Sequence, residues 1–322
     1  MPDQAPTHPG RYACIDCGTN SVKLIVADLT HGWSAPVLQL SDTTRIGEGM
    51  HANEMRLQTE PVRRTLEAIG RFATAARECG AIETALVGTA ALRDAASSTE
   101  FTDAVRERSG LELDIIAGAE EARLSFLAVR LDPYWRSVPQ LLVIDVGGGS
   151  TELILGAPGE TRVLERTSVN VGAVKLTERF LPSDPPTPDQ VAAAIAAAEA
   201  AFKAAPFTES AARGSIVVGV GGTLTNLAAM RQGANPEPEA IHGLALSELD
   251  IEALIASLAE KSIAERREMP GLDPSRADII LAGAILLRGA LAHVDSQVVG
   301  VCTRGLRWGV LYDRFLPRVA GS

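Results

Sequence analysis

The sequence is poor in aromatic residues, in cysteine and in positive charge, and each scarcity narrows what the chain can be. Aromatics make up only 4% of it. Alanine, valine, leucine and isoleucine therefore carry the interior, which suits helices packed on sheets. The formal net charge is −10, whereas a protein that grips nucleic acid by counterion release is expected to be basic. Nucleic acid is set aside as a partner on that ground. An acidic protein that handles a polyanion needs a local positive site, most simply a divalent metal with a few arginines. There are four cysteines, Cys14, Cys17, Cys79 and Cys302. Cys14 and Cys17 form a C-x-x-C, but no second such pair and no paired histidine completes a zinc site. Strand-like sequence also follows, where a redox motif of the thioredoxin kind would open a helix. Cys14 is read as a strand core residue and Cys17 as a loop residue. No disulfide framework is evident, which points to a reducing cytoplasm. The longest apolar stretch, 279–287, is too short to span a bilayer and is followed by Arg288, so no membrane association is expected. The first ten residues are polar and proline-rich; without an apolar centre they read as a frayed tail and not as a signal peptide.

What is present begins with a repeat. At 322 residues, 46% of them hydrophobic, the chain has material for two well-buried cores. Two segments match: Cys14-Ile15-Asp16-Cys17-Gly18-Thr19-Asn20-Ser21 and Val143-Ile144-Asp145-Val146-Gly147-Gly148-Gly149-Ser150. Both read Ile-Asp-x-Gly-x-x-Ser after an apolar run, and their aspartates stand 129 residues apart. The pattern is that of a duplicated half, with a cleft expected between the copies. β-Branched and apolar sequence follows each loop, at 22–28 and at 152–155. Each glycine loop is therefore expected to turn a β-hairpin, which argues against a dinucleotide fingerprint; a P-loop is absent altogether. Gly18 and the triplet at 147–149 permit close backbone approach, so that successive N–H groups can face phosphate oxygens. A third glycine loop, 218–226, follows an apolar strand and leads into helical sequence, whose N-terminus is a further place for an anion.

The remaining chain reads as alternating helices and strands. A helical stripe runs over 59–79 with Gly80 as its stop, a strand over 84–87, and a capping box at Ser97-x-x-Glu100 opens a helix to 109. A strand at 113–116 and a helix at 120–131 follow. Prolines at 133–139 separate the halves, an alanine-rich helix spans about 189–204, helices dominate 247–293, and a strand at 298–302 precedes a short helix near 306–315. The expected fold class is α/β. Domain boundaries are set at 1–130, with 306–322 packing back on that half, and at 131–305.

The motifs together resemble the exopolyphosphatase/guanosine pentaphosphate phosphohydrolase (Ppx/GppA) family, in its short two-domain form. The matching stretches are 15–21, Gly88-Thr89-Ala90-Ala91-Leu92-Arg93-Asp94-Ala95, Gly118-Ala119-Glu120-Glu121-Ala122-Arg123, 144–153, 219–223 and Arg276-Ala277-Asp278. They span nearly the whole chain in the family's order. Cys17 departs from the small aliphatic residue usual there, and Trp308 stands where glutamate is common, so no role is assigned to 305–309. The resemblance implies two actin-like (ribonuclease H-like) domains with an interdomain cleft, and an enzyme that hydrolyses terminal phosphate from inorganic polyphosphate.

Residue roles follow from the same resemblance, beside a plainer reading in each case. Asp145 and Glu152 flank the second glycine loop, where a tight hairpin can aim both at one hard cation, Mg²⁺ or Mn²⁺; the plain reading of Glu152 is a solvated strand-edge carboxylate. The resemblance makes these two the metal residues, with Asp16 holding a metal-bound water or its own loop. It makes Glu121 the catalytic base, while Glu120 can be a first-turn acid favoured by the helix dipole. Arg93 would clamp a phosphate, against the plain reading of an exposed loop arginine. Gly18, Asn20 and Ser21 in one copy, and Gly147, Gly148 and Ser150 in the other, would bind the terminal phosphate. The alternatives are hydrolysis of guanosine pentaphosphate, an ATP-dependent kinase of the same superfold with 219–223 as its adenosine loop, and a non-catalytic sensor. A homodimer stays open.

Overall fold

The computed structural model describes residues 10–30, 33–50, 54–207 and 213–319; the expected N-terminal tail lies outside these except for Gly10. The chain forms two compact units. The first runs to Ala128 and takes back the segment from Leu306, and the second is Val129–Gly305.

In the first unit β1 (Gly10–Cys17) and β2 (Val22–Thr30) form an antiparallel hairpin, and β3 (Trp33–Asp42) adds to the outer edge of β2. Two strands, β4 (Glu83–Gly88) and β5 (Leu113–Ile115), extend the sheet in parallel on the other side, giving the order β3-β2-β1-β4-β5. The period-2 alternation of β1 sends Ala13, Ile15 and Cys17 to one face and Tyr12 and Cys14 to the other. The first set meets Leu66, Ile69 and Phe72 of α1 (Thr59–Glu78) and Phe101 and Val105 of α3 (Ser98–Ser109). The short α2 (Ala90–Asp94) lies between β4 and α3 in the chain. The second set meets Leu124 and Ala128 of α4 (Gly118–Arg130) and Trp308, Leu311 and Phe315 of α12 (Leu306–Val319). Phe315 stacks on Tyr12 at 4.5 Å.

The second unit repeats the plan. β6 (Leu141–Val146) and β7 (Thr151–Gly156) form the hairpin, β8 (Val163–Val169) extends it, β9 (Ile216–Val220) and β11 (Val298–Val301) lie parallel to β6 on the other side, and β10 (Ala245–Ser247) closes the edge. The order is β8-β7-β6-β9-β11-β10. Strand for strand, the first five positions reproduce the first sheet. This is the sheet plan of two actin-like domains. Around it stand α5 (Ala173–Phe180), α6 (Pro188–Lys203), α7 (Gly221–Gln232), α8 (Pro238–Ile241), α9 (Glu248–Ala259), α10 (Ile263–Arg267) and α11 (Ile280–His293). The apolar stretch expected near 279–287 belongs to α11, whose side chains are almost all buried. Among the described residues no helix is long and apolar enough to cross a membrane.

Two expectations are corrected, and three strands are added. Cys17 is the buried last residue of β1, not a loop residue, because the ladder continues to the Cys17–Val22 pair. The strands β3, β8 and β10 were not anticipated. The capping box at Ser97 does not form: the Ser97 hydroxyl accepts the Leu57 N–H at 3.2 Å, a tertiary use of the same oxygen.

Candidate active site

Each unit carries the same hairpin end. The Gly18 N–H donates to the Ser21 carbonyl at 3.0 Å, and the Gly147 N–H donates to the Ser150 carbonyl at 3.0 Å. In both, the aspartate is the penultimate residue of its strand. The two copies differ in what faces it. Asp16 is paired across the ladder with Lys23, whereas Asp145 is paired with Glu152. Directly opposed like charges destabilise a sheet, so the second hairpin gains from a cation that the first already has as a side chain.

In the first unit Asp16 is held above the ordinary carboxylate range, chiefly by burial; Lys23 and Arg307 oppose the shift. Its Oδ1 is buried without a hydrogen-bond partner. Such an oxygen is costly to leave unmet, and a proton, a water or a cation would satisfy it. Asn20 and Ser21 are buried in the loop, Asn20 Nδ2 donating to Ser21 Oγ at 3.1 Å while Asn20 Oδ1 has no partner. Arg307, from the first turn of α12, donates to the Leu24 carbonyl at 2.7 Å.

Arg93 and Glu121 meet in this unit. The end of α2 presents Arg93 and the first turn of α4 presents Glu121, and Arg93 Nη1 donates to Glu121 Oε2 at 2.6 Å and to the Ile116 carbonyl at 3.1 Å. Both side chains are largely buried, 21% and 14% exposed. Glu120 points elsewhere, into a network with Arg123, which also bonds Asp313. Geometry thus separates the two neighbouring glutamates, which spacing could not.

In the second unit Glu152 is buried and accepts the Ser168 hydroxyl at 2.9 Å. Its plain reading as a solvated carboxylate does not hold. Asp145 Oδ1 sits 2.6 Å from where a Cβ at Gly221 would be, and Gly221 has φ +85°; only glycine fits both the conformation and the carboxylate. The third glycine loop therefore abuts the second one, and Thr223 Oγ1 fixes α7 to the strand end by donating to the Val146 carbonyl at 2.9 Å. The Arg276 guanidinium lies against Gly222, with burial lowering its pKa while Asp273, Asp278 and Asp145 act in the opposite direction. Sequence reasoning quoted Arg276 in a motif but gave it no task, and it passed over Lys23 and Arg307. The signals for two of these were positional: Lys23 faces the strand aspartate in register, and Arg276 stands within a matched motif. All-oxygen carboxylate donors of this kind suit a hard cation such as Mg²⁺ better than a thiophilic one.

Two α/β units of one sheet plan, each with an acidic strand end beside a glycine hairpin, make a duplicated fold with matched loop ends. Comparison with known proteins narrows this. The sequence profile of the Ppx/GppA phosphatase family matches residues 25–317. Exopolyphosphatase 1 of Mycobacterium leprae is 30% identical over 317 residues, covering 97% of this chain and 91% of that one. Exopolyphosphatase 2 of Mycobacterium tuberculosis is 33% identical, covering 86% and 88%. Among solved structures, the Ppx/GppA family member of Aquifex aeolicus superposes with TM-score 0.79 at 29% identity, covering 96% of this chain and 98% of that one. An exopolyphosphatase from Cytophaga hutchinsonii gives 0.83 at 26% identity, covering 94% and 96%. The chain belongs to the Ppx/GppA phosphatase family.

Proposed function

We propose that this protein is an exopolyphosphatase, which releases orthophosphate from the end of inorganic polyphosphate by attack of water. The observation that carries the reading is the carboxylate pair Asp145–Glu152 across the second glycine hairpin, in a chain whose curated relatives are named exopolyphosphatases. Asp145 and Glu152 are the residues to hold Mg²⁺ or Mn²⁺, and Asp16, with its unmet Oδ1, is assigned to a water or to its own loop. The cation, when bound, neutralises charge on the phosphoryl oxygens.

The chain's own groups do the rest. Gly18, Asn20 and Ser21, and Gly147, Gly148 and Ser150, supply donors to phosphate oxygens. Glu121 accepts the proton of water as its oxygen attacks the terminal phosphorus. The bridging P–O bond breaks, and the products are orthophosphate and a chain one phosphate shorter. Arg93 orients Glu121 through the 2.6 Å bond and turns its remaining N–H groups to the phosphate. The four cysteines are free thiols, which suits work in a reducing cytoplasm. Phosphate release from polyphosphate and from guanosine pentaphosphate, each with Mg²⁺ and no acceptor, tests the reading. Release from polyphosphate, without ADP, is expected. Release from guanosine pentaphosphate alone would overturn the substrate, and strict dependence on ATP with a phosphorylated acceptor would overturn the hydrolase.

A further inference from the structure

The second unit holds a cluster that the phosphate chemistry does not use. Asp132 follows α4 in the chain, His242 caps α8, and Cys302 follows β11. Asp132 and Cys302 are 1% and 0% exposed, and the His242 side chain 18%. Asp132 Oδ1 lies 3.2 Å from His242 Nε2, and the ligating atoms of all three lie within 4.8 Å of one another. We propose that Asp132, His242 and Cys302 form a binding site for one thiophilic divalent cation of the zinc class.

The donor set is the first argument. Carboxylate oxygen, imidazole nitrogen and thiolate sulfur are the ligands zinc takes, usually as a tetrahedron. Bonds of about 2.0 Å place oxygen and nitrogen ligands about 3.3 Å apart along a tetrahedral edge, and the observed Asp132–His242 separation is 3.2 Å. Cys302 Sγ, within 4.8 Å of both atoms and donating to the Arg304 carbonyl at 3.4 Å, would turn to the cation as the third corner, leaving the fourth for water.

The surrounding groups are the second. A metal-bound histidine is oriented through its other nitrogen, and His242 Nδ1 lies 3.1 Å from Thr303 Oγ1. Arg304 Nε bonds Asp132 Oδ2 at 3.1 Å, which leaves Oδ1 turned to the histidine. That Oδ1 also accepts the Tyr134 N–H at 2.8 Å and keeps a lone pair for a cation. The buried indole N–H of Trp135 meets no acceptor within hydrogen-bond range and is a donor that a Cys302 thiolate would engage. Burial, chiefly, and Asp132 push the free thiol up, so without metal the sulfur is protonated at neutral pH. Binding therefore releases one proton from Cys302. His242 Nδ1 accepts the Thr303 N–H at 3.3 Å; with a cation on Nε2 the ring proton would move to Nδ1, where Thr303 Oγ1, 3.1 Å away, would accept it.

Asp132 stands three residues past the start of the second unit and Cys302 three before its end. The ion would staple one to the other. The test uses the full chain, stripped with chelator, with Co²⁺ as probe. One equivalent should give a thiolate-to-cobalt charge-transfer band that Zn²⁺ abolishes, and Zn²⁺ should raise Tm. Cys302→Ser should lose the band. His242→Gln, which can still bond Asp132, should weaken binding at least ~10-fold. No band in the unaltered protein would overturn the proposal. So would a band that persists in Cys302→Ser, which would place the metal on Cys14, Cys17 or Cys79, and so would undiminished affinity in His242→Gln.

Discussion

Replacing Gly309 with alanine should damage catalysis from a position that touches no substrate. A Cβ at 309 would stand 1.9 Å from the Leu124 carbonyl oxygen, 2.5 Å from its carbonyl carbon and 3.0 Å from its Cα. These are backbone atoms of α4, with no flexible end to swing away. Since ordinary carbon contacts begin near 3.5 Å, α12 and α4 must separate by about 1–1.5 Å. Glu121 lies on α4 one turn before Leu124, so the shift reaches the carboxylate and its bond to Arg93. A misplacement of about 1 Å in a catalytic group costs on the order of 10²-fold. Overpacking a well-filled core costs about 1–3 kcal/mol, which for a unit of this size lowers Tm by roughly 3–10 °C. The assay is kcat on polyphosphate beside a thermal melt. Gly70→Ala is the control: it is in mid-α1 with nothing within 4 Å of its Cβ position. Alanine there should stabilise by about 0.5–1 kcal/mol and leave turnover alone. A Gly309→Ala protein with unchanged Tm and kcat would refute the claim that α12 sets the position of α4.

Glu121→Gln keeps the shape and removes the base, so turnover should fall by about 10²–10⁴-fold while substrate still binds; near-normal turnover would remove Glu121 from the role. Activity should vanish with EDTA and return with Mg²⁺ or Mn²⁺, and Asp145→Asn should need far more metal, which a metal titration of phosphate release would show. Asp250, bonded by the hydroxyl and backbone N–H of Ser247 and by Arg231, is pulled down to about 2. A carboxylate depressed on folding stabilises above its unfolded value, near 4, and loses that contribution as pH falls towards its folded value. Melts of Asp250→Asn should therefore lie below the unaltered protein at pH 6, with the gap closing between roughly pH 4 and 2. A gap independent of pH would contradict the assignment.

The two hairpins were legible because glycine and β-branched residues act locally, and an aspartate ending an apolar strand beside them is unusual enough to be seen twice. The helix stop at Gly80 was readable for the same reason, and that glycine has positive φ. Tertiary demands hid the rest. β3 carries Pro36 on an edge, where a missing N–H costs nothing but the pattern is broken. β8 alternates exposed and half-buried positions over Val163–Leu164–Glu165–Arg166, a polar edge that resembles a loop. Ser97 had the letters of a cap, yet its oxygen was spent on a residue 40 positions away. The Arg93–Glu121 bond spans 28 residues and the Asp132–His242 contact 110; no periodicity encodes either.

The return of α12 to the first unit has a consequence for how the chain is made. Domains emerging from the ribosome generally fold in order, the N-terminal one first. Here one face of the first sheet is covered by Trp308, Leu311, Tyr312 and Phe315. Those side chains are translated only after all of Val129–Gly305. Until then Tyr12, Cys14, Ile25 and Ala27 lack the helix that buries them. The unit that begins first is thus completed last, and the second unit can finish its own core while the first still waits.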